Sequence, residues 1–301
     1  MPAQTRWPVG KAAVSVLIPA KNEAENIRAC LASVAWADEA VVVDSQSSDG
    51  TAERAAQSGA RVVQFHYVPG GPKKKNWALR NVDFRNEWIL ILDADERVTP
   101  RLAEEIISII PDGGCECSGF YINRRFYFAG KWIRHAGYYP SWNLRLLRRG
   151  AGEYETVPDP TGQTGDNEVH EHILLKGKAG WLREPLDHYA YPDIFTFVEK
   201  HNRYSTWEAL VQLDRRTVAA PAGSMALRLK WRRMAKQLVR KLPFPEAWRF
   251  LYHYVFKRGF LDGSAGYVFC RLLAEYEFLS WAKTWEAQRI ARALEAKGQL
   301  D

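Results

Sequence analysis

What this sequence lacks narrows its class before any motif is read. No uninterrupted apolar run approaches the roughly 20 residues that a bilayer-spanning helix needs. Met1 to Lys11 has no apolar core, and Val14 to Ala20 is too short to serve as the core of a secretory leader. Cysteine is scarce: Cys30, Cys115, Cys117 and Cys270 stand at no framework spacing, which argues against a disulfide-stapled secreted scaffold and for a reducing compartment. Cys115-Glu-Cys117 with His170 and His172 offers soft ligands, but at a spacing foreign to the common zinc modules, so a structural zinc is rejected. No Gly-x-Gly-x-x-Gly follows the first predicted strand and no Gly-x-x-x-x-Gly-Lys-Ser/Thr occurs anywhere, which disfavours a dinucleotide fold and removes a P-loop ATPase. Internal repeats and low-complexity tracts are also missing. The expectation is a cytoplasmic protein that crosses no membrane.

What is present is a 301-residue chain, 47% apolar, with 12 Trp, 13 Tyr and 13 Phe weighted toward its second half. The formal charge of +7 favours an anionic partner, without choosing among phosphate, nucleic acid and acidic lipid. Short apolar runs alternate with helical periodicity through the first third. Val14–Ile18, stopped by Pro19, Ala40–Val43, Arg61–Phe65 and Trp88–Leu92 read as strands. Ile27, Leu31 and Val34 recur at helical spacing. Helices are also expected from Thr51, over Lys75 to Val82, and from Thr99 as N-cap with Pro100 at the first helical position to Ile110. Strands without polar alternation, separated by helices, imply a parallel sheet covered on both faces, which binds ligands at the carboxyl ends of its strands. After Asp112-Gly-Gly114 the pattern changes: Gly119 to Phe128 and Asn143 to Arg148 read as more polar strands, Glu153 to Asp166 as a loop, and helices dominate from Ile194.

Polar residues fall at the strand ends, where such a sheet needs them. Asp93-Ala94-Asp95 follows the fourth strand directly. In extended chain, residues two apart face the same way, so both carboxylates reach one point. Hard oxygen ligands there suit Mg²⁺ or Mn²⁺ bridging a diphosphate; strand-end aspartates that only cap a turn are the plainer alternative. Asp44 opens Asp44-Ser-Gln-Ser-Ser-Asp-Gly-Thr51 and can accept from a base edge or a ribose hydroxyl, or can simply order its turn. Pro19-Ala-Lys-Asn-Glu23 ends the first strand in the same manner. Lys73-Lys-Lys75 lies at the mouth of a helix, either aimed at a diphosphate through Lys75 or solvated as a charge run.

In this order, Val14–Glu23, Val41–Thr51, Lys75–Asn81 and Ile89–Glu96 resemble the family 2 glycosyltransferases of the GT-A fold. The resemblance implies an α/β nucleotide-diphospho-sugar transferase: Pro19, Ala20, Asn22, Glu23 and Asp44 hold the nucleotide base, Asp93 lies beside the ribose, Lys75 reaches the diphosphate, and Asp95 holds the metal. Ser45 departs from the pattern, since many members carry a second Asp there. A late histidine completes the metal site in various GT-A enzymes, which makes His188 a candidate; packing among aromatic rings is its alternative. Inverting transfer also needs a carboxylate to deprotonate the acceptor. Asp166, Glu168 and Glu171 are the candidates, and Glu171 is preferred because Val169-His-Glu171 opens a strand-like stretch.

Met225 to Arg258 carries ten Lys or Arg, one acid (Glu246) and many aromatic residues. Basic aromatic helices of this kind settle in an anionic membrane interface; packing on the catalytic domain ranks second and nucleic acid last. Lys257-Arg-Gly-Phe-Leu-Asp-Gly-Ser-Ala-Gly266, Val169–Glu171 and the surroundings of His188 extend the resemblance to the branch that includes lipopolysaccharide inner-core β-1,4-glucosyltransferases. That branch implies UDP-glucose as donor and a lipid-linked saccharide as acceptor. The expected division is a GT-A catalytic domain over 1–193 (nucleotide-sugar half 1–112, acceptor half 113–193) and a helical, membrane-facing C-terminal extension over 194–301. The expected setting is peripheral, at the inner face of the membrane, with no nucleic acid bound. A non-catalytic nucleotide-sugar or lipid-binding protein on the same fold is the alternative function.

Overall fold

The computed structural model describes residues 10–110, 116–155, 172–213 and 244–295. They fall into two compact units: one contains the described residues up to Tyr127, then 139–155 and 172–190, and the other contains Phe128–Tyr138 and the described residues from Tyr191 onward.

The first unit is built on a sheet. Strands β1 (Ala12–Ala20), β2 (Ala37–Asp44), β3 (Arg61–Gln64) and β4 (Trp88–Ile91) run parallel in the order β3-β2-β1-β4. Beyond them the sheet turns antiparallel through β8 (Trp142–Arg148) and β6 (Cys117–Phe128), then continues to β12 (Leu186–Tyr191) and the short β5 (Glu96–Arg97). Strand β11 (Lys178–Trp181) adds to β6 in parallel, and the two-residue strand β7 (Lys131–Trp132) falls in the second unit. A separate hairpin pairs β9 (Gly152–Tyr154) with β10 (Ile173–Leu175).

Side chains alternate between two apolar clusters, one on each face: Val16, Ile18, Leu90 and Leu92 on one, Leu17, Val41, Val43, Ile89 and Ile91 on the other. This is why the strands carry no polar alternation. Each fully buried Ile or Leu adds about 1.5–3 kcal/mol of apolar stabilisation. Helices α1 (Ile27–Ser33), α2 (Thr51–Gln57), α3 (Lys74–Asn81) and α4 (Pro100–Ile109) connect the strands. Thr99 Oγ1 accepts from Leu102 N at 3.2 Å, so the N-cap read from Thr99-Pro100 is present.

Three local expectations change. Pro19 does not stop β1, because the strand continues to Ala20 with Pro19 opposite Val43. Glu153 and Tyr154 belong to β9 rather than to a loop. Strands β11 and β12 were not foreseen; their sequences, Lys-Ala-Gly-Trp and Leu-Asp-His-Tyr-Ala-Tyr, are short and carry little apolar periodicity.

The second unit is helical: α5 (Ile194–Leu213), α6 (Pro245–Leu251), a π-turn (Tyr252–Phe256), a 3₁₀ turn (Gly259–Asp262) and α7 (Gly263–Glu295). Its core packs Phe128, Phe197 and Phe269 edge to face or tilted, with ring centroids 5.3–6.1 Å apart. Helices α5 and α7 are joined by polar bonds as well: Tyr276 Oη donates to Glu208 at 2.9 Å, and Lys283 Nζ to Asn202 O at 2.6 Å. Among the described residues no helix is long and apolar enough to cross a membrane.

Candidate active site

The carboxyl ends of β1, β2 and β4 form one polar rim. At the first, Ala20 is buried and its carbonyl accepts from Lys74 Nζ and Ser45 N, each at 3.0 Å. The chain then turns at Asn22, in left-handed backbone (φ 54°). Asn22 N donates to Ser47 Oγ at 2.8 Å, and Asn22 Oδ1 accepts from Ser48 N at 3.0 Å. Glu23 N donates to Thr51 Oγ1 at 2.8 Å, and its carboxylate accepts from Asn26 Nδ2. The Asp44–Thr51 turn is therefore bonded directly to the Pro19–Glu23 turn. Asp44 is almost wholly buried and accepts from both the backbone N–H (2.9 Å) and the hydroxyl of Ser47.

At the third strand end the extended-chain premise fails. Glu96 N donates to Asp93 O at 2.9 Å, closing a turn, and Glu96 Oε2 accepts from Asp93 N at 3.0 Å. With the backbone turned, the two aspartates take different partners. Asp93 binds Lys75 Nζ at 3.0 Å and Arg145 at 2.5 Å. Asp95 Oδ1 lies 3.5 Å from His188 Nε2, while Asp95 O accepts from Tyr189 N at 2.9 Å. Strand β12, paired with β5 through His188 opposite Glu96, brings that histidine to the rim.

The charges form a connected set. Arg145 also reaches Glu96, wholly buried, at 2.7 Å, and Arg124 reaches the same carboxylate at 3.4 Å. Burial opposes ionisation of Asp93, but Arg145 and Lys75 outweigh it and hold its carboxyl well below the usual carboxylate range. Lys74 and Lys75 are both buried, so the solvated charge-run reading of 73–75 does not hold for them. Lys75 Nζ also sits 5.3 Å from the Tyr154 ring centroid. Next to it, Asn76 exchanges two 2.8 Å bonds with the Tyr154 backbone, fixing α3 against β9.

Sequence reasoning missed Arg145, Glu96 and Asn76. Arg145 carried a readable signal: a cation inside the apolar strand Leu144-Arg-Leu-Leu147 needs a buried carboxylate. Glu171, with Asp166 and Glu168, lies outside the described residues. Among the described residues no group of three or more His, Cys, Asp and Glu gathers to hold a metal by itself. The Asp95 carboxylate fits Mg²⁺ or Mn²⁺, which can be held by one or two protein ligands with phosphate oxygens and water completing the shell, and the His188 imidazole beside it suits Mn²⁺ better than Mg²⁺.

The sequence profile described as Glycosyl transferase family 2 matches residues 15–173, which include the three strand ends of the rim and Arg145 but not His188. The chain belongs to this family. The chain is 30% identical over 211 residues to the lipopolysaccharide core biosynthesis glycosyltransferase LpsC of Rhizobium meliloti (strain 1021), covering 68% of this chain and 74% of that relative. An uncharacterized glycosyltransferase of Rickettsia felis is 27% identical over 280 residues, 91% of this chain and 90% of that one. Among solved structures, glucosyl-3-phosphoglycerate synthase from Mycobacterium tuberculosis in complex with Mn²⁺, UDP and glucosyl-3-phosphoglycerate matches with 26% identity and a TM-score of 0.31. That match covers 38% of this chain and 44% of the synthase chain. Family membership and the mixed sheet flanked by helices give a GT-A α/β fold with a helical extension, and this family 2 protein is a glycosyltransferase.

Proposed function

We propose that the protein transfers a hexose, glucose from UDP-glucose, with inversion to a lipid-linked saccharide of the lipopolysaccharide inner-core kind. The reaction is placed in the cytoplasm, at the inner face of an anionic membrane. The observation that carries this reading is the rim itself: three strand ends present Asp44, Asp93 and Asp95, with Lys75, Arg145 and His188 supplying charge and imidazole beside the last two. The likeness to LpsC supports the choice of acceptor.

In this reading the Asn22–Glu23 and Asp44 turns hold the base. Asp44 accepts a hydrogen bond from the nucleoside once the Ser47 hydroxyl yields its place. Asp93, locked by two cations, offers an ionised acceptor to the ribose, and Lys75 adds positive charge near the diphosphate. Asp95 and His188 would hold Mg²⁺ or Mn²⁺, which when bound neutralises negative charge on the departing diphosphate. Glu171 takes the proton from the acceptor hydroxyl as it attacks the anomeric carbon. Residues 1–193 are assigned the catalytic role and 194–301 the membrane side.

Release of UDP from a panel of nucleotide sugars, with and without chelator, tests the reading and separates it from a non-catalytic sugar- or lipid-binding protein. UDP-glucose should be the donor consumed, and only with Mg²⁺ or Mn²⁺ present. Glu171→Gln should spare donor binding and slow turnover by about a hundredfold or more. Slowing by Asp166→Asn or Glu168→Gln in its place would move the base, and binding without release from any donor would sink the enzymatic reading.

A further inference from the structure

Residues 244–261 have two faces of opposite character. The inner face is locked. Asp262, buried just after the segment, accepts from Arg134 N at 3.2 Å, from His135 N at 2.9 Å and from His135 Nδ1 at 2.9 Å. His253, also buried, donates through Nδ1 to Ala136 O at 2.7 Å, and Ala136 N donates to Lys257 O at 2.9 Å. Glycine makes the closest approaches possible: a Cβ on Gly266 would stand 2.1 Å from Gly259 O, and one on Gly259 would stand 2.7 Å from Cys270 Sγ. Arg258 holds left-handed backbone (φ 57°) between the π-turn and the 3₁₀ turn. Two irregular turns and a strained residue persist because buried polar bonds determine them from within.

The outer face is apolar. Phe256 is 74% exposed, Phe244 72% and Leu261 55%, with Trp248, Tyr252 and Phe260 close to half exposed. Lys257 and Arg258 are exposed among them, and Lys257 Nζ lies 5.4 Å from the Tyr252 ring centroid. The nearby acids do not offset these cations at the surface, since Asp262 is buried on His135 and Glu246 is half-buried. A loose loop would fold its rings away from water; this one is prevented from doing so by its anchors.

We propose that this face is a preformed insertion surface for an anionic lipid bilayer, with the rings entering the interface and Lys257 and Arg258 meeting lipid phosphates. The proposal rests on the membrane-side reading given above and deepens it by naming the contact. Aromatic rings beside cations are the composition an anionic interface selects. A rigid display also spares the ordering cost that a disordered segment meets on binding.

The test uses full-length protein with vesicles of phosphatidylcholine alone or mixed with phosphatidylglycerol, in co-sedimentation across a salt series. Wild type should bind the anionic vesicles, less so as salt rises. The Phe256→Ser, Leu261→Ser double variant should partition about tenfold more weakly, because each lost side chain removes apolar area from the interface. Both positions are exposed, so folding should be unaffected, and calorimetry with UDP should give the same affinity as wild type. Amide exchange of wild type provides a readout that needs no variant: vesicles should protect 244–261. Equal partitioning of variant and wild type, absence of vesicle binding, or protection confined to other segments would each overturn the proposal. Loss of UDP binding in wild type, with vesicle binding intact, would instead sink the transferase reading and leave this surface standing.

Discussion

At the last strand end of the sheet unit, charges of opposite sign are paired: Arg145 sits between Asp93 and Glu96, and Lys75 sits on Asp93. In the helical unit, two of the buried ionisable groups are imidazoles, His201 and His253, each with Nδ1 on a backbone carbonyl, at 2.8 and 2.7 Å. Burial pushes both down to about 4, helped for each by the positive charge of Arg249, so they are neutral at pH 7. The rim thus pairs its charges, whereas these two imidazoles are held neutral beside buried carboxylates of their own unit, Asp262 on His135 and Glu277 near Arg249. The difference follows from use. On the proposed reading the rim meets a diphosphate, for which fixed charge is useful, whereas the helical core meets no such ligand.

The sharpest way to break the comparison is at the rim. Asp95→Ala should abolish metal-dependent nucleotide-sugar binding and lower turnover by about a thousandfold, the scale of a lost charge-stabilising contact. Calorimetry with and without chelator reads this directly, and unchanged affinity in chelator would remove Asp95 from the metal. Arg145→Met comes next. It leaves buried Glu96 and half-buried Asp93 with too little positive charge and should cost about 3 kcal/mol in urea unfolding. A loss below about 1 kcal/mol would mean that the carboxylates find water or protonate instead.

The two units should also separate in acid. The folded pKa of each imidazole is depressed, so its contribution is complete above the unfolded value of 6.5. That contribution is lost as pH falls toward 4, because the unfolded chain gains a proton that the folded chain refuses. The loss is on the order of 3 kcal/mol for each histidine by pH 4. Amide exchange between pH 7 and 4.5 should show α5 and the π-turn opening before β1 and β4. His253→Phe should flatten that dependence, and an unchanged slope would assign it to other groups. The smallest effect belongs to the exposed Arg80–Glu153 pair, at 2.5 Å: Glu153→Gln should change stability by less than about 1 kcal/mol.

The parallel half of the sheet was legible because each strand is apolar on both faces and each turn after it is polar; Val14–Ile18 and Trp88–Leu92 needed no partner to be recognised. Boundaries were less legible. Pro19 was read as a stop, yet parallel pairing with β2 carries the strand past it. Asp93 and Asp95 were found, but their common aim was inferred from an extended backbone, and the Asp93–Glu96 turn cancels that inference. Arg145 and His188 come from strands added by long-range pairing, β8 against β4 and β12 against β5, which local periodicity does not encode. His188 was named only because related enzymes suggested a late histidine.

Ser47 gives the rim a direction. Its hydroxyl has one proton, and that proton goes to Asp44, which leaves the oxygen lone pairs for the N–H of Asn22. The chain of donors thus runs one way, from the backbone of the first turn to the carboxylate of the second. On the proposed reading, a nucleoside group that takes the place of the Ser47 hydroxyl on Asp44 would also disturb the bond from Asn22 N. If Asp44 holds the base as proposed, occupancy of that site is reported in the turn that follows β1, and the amide of Asn22 is where exchange with solvent would record it.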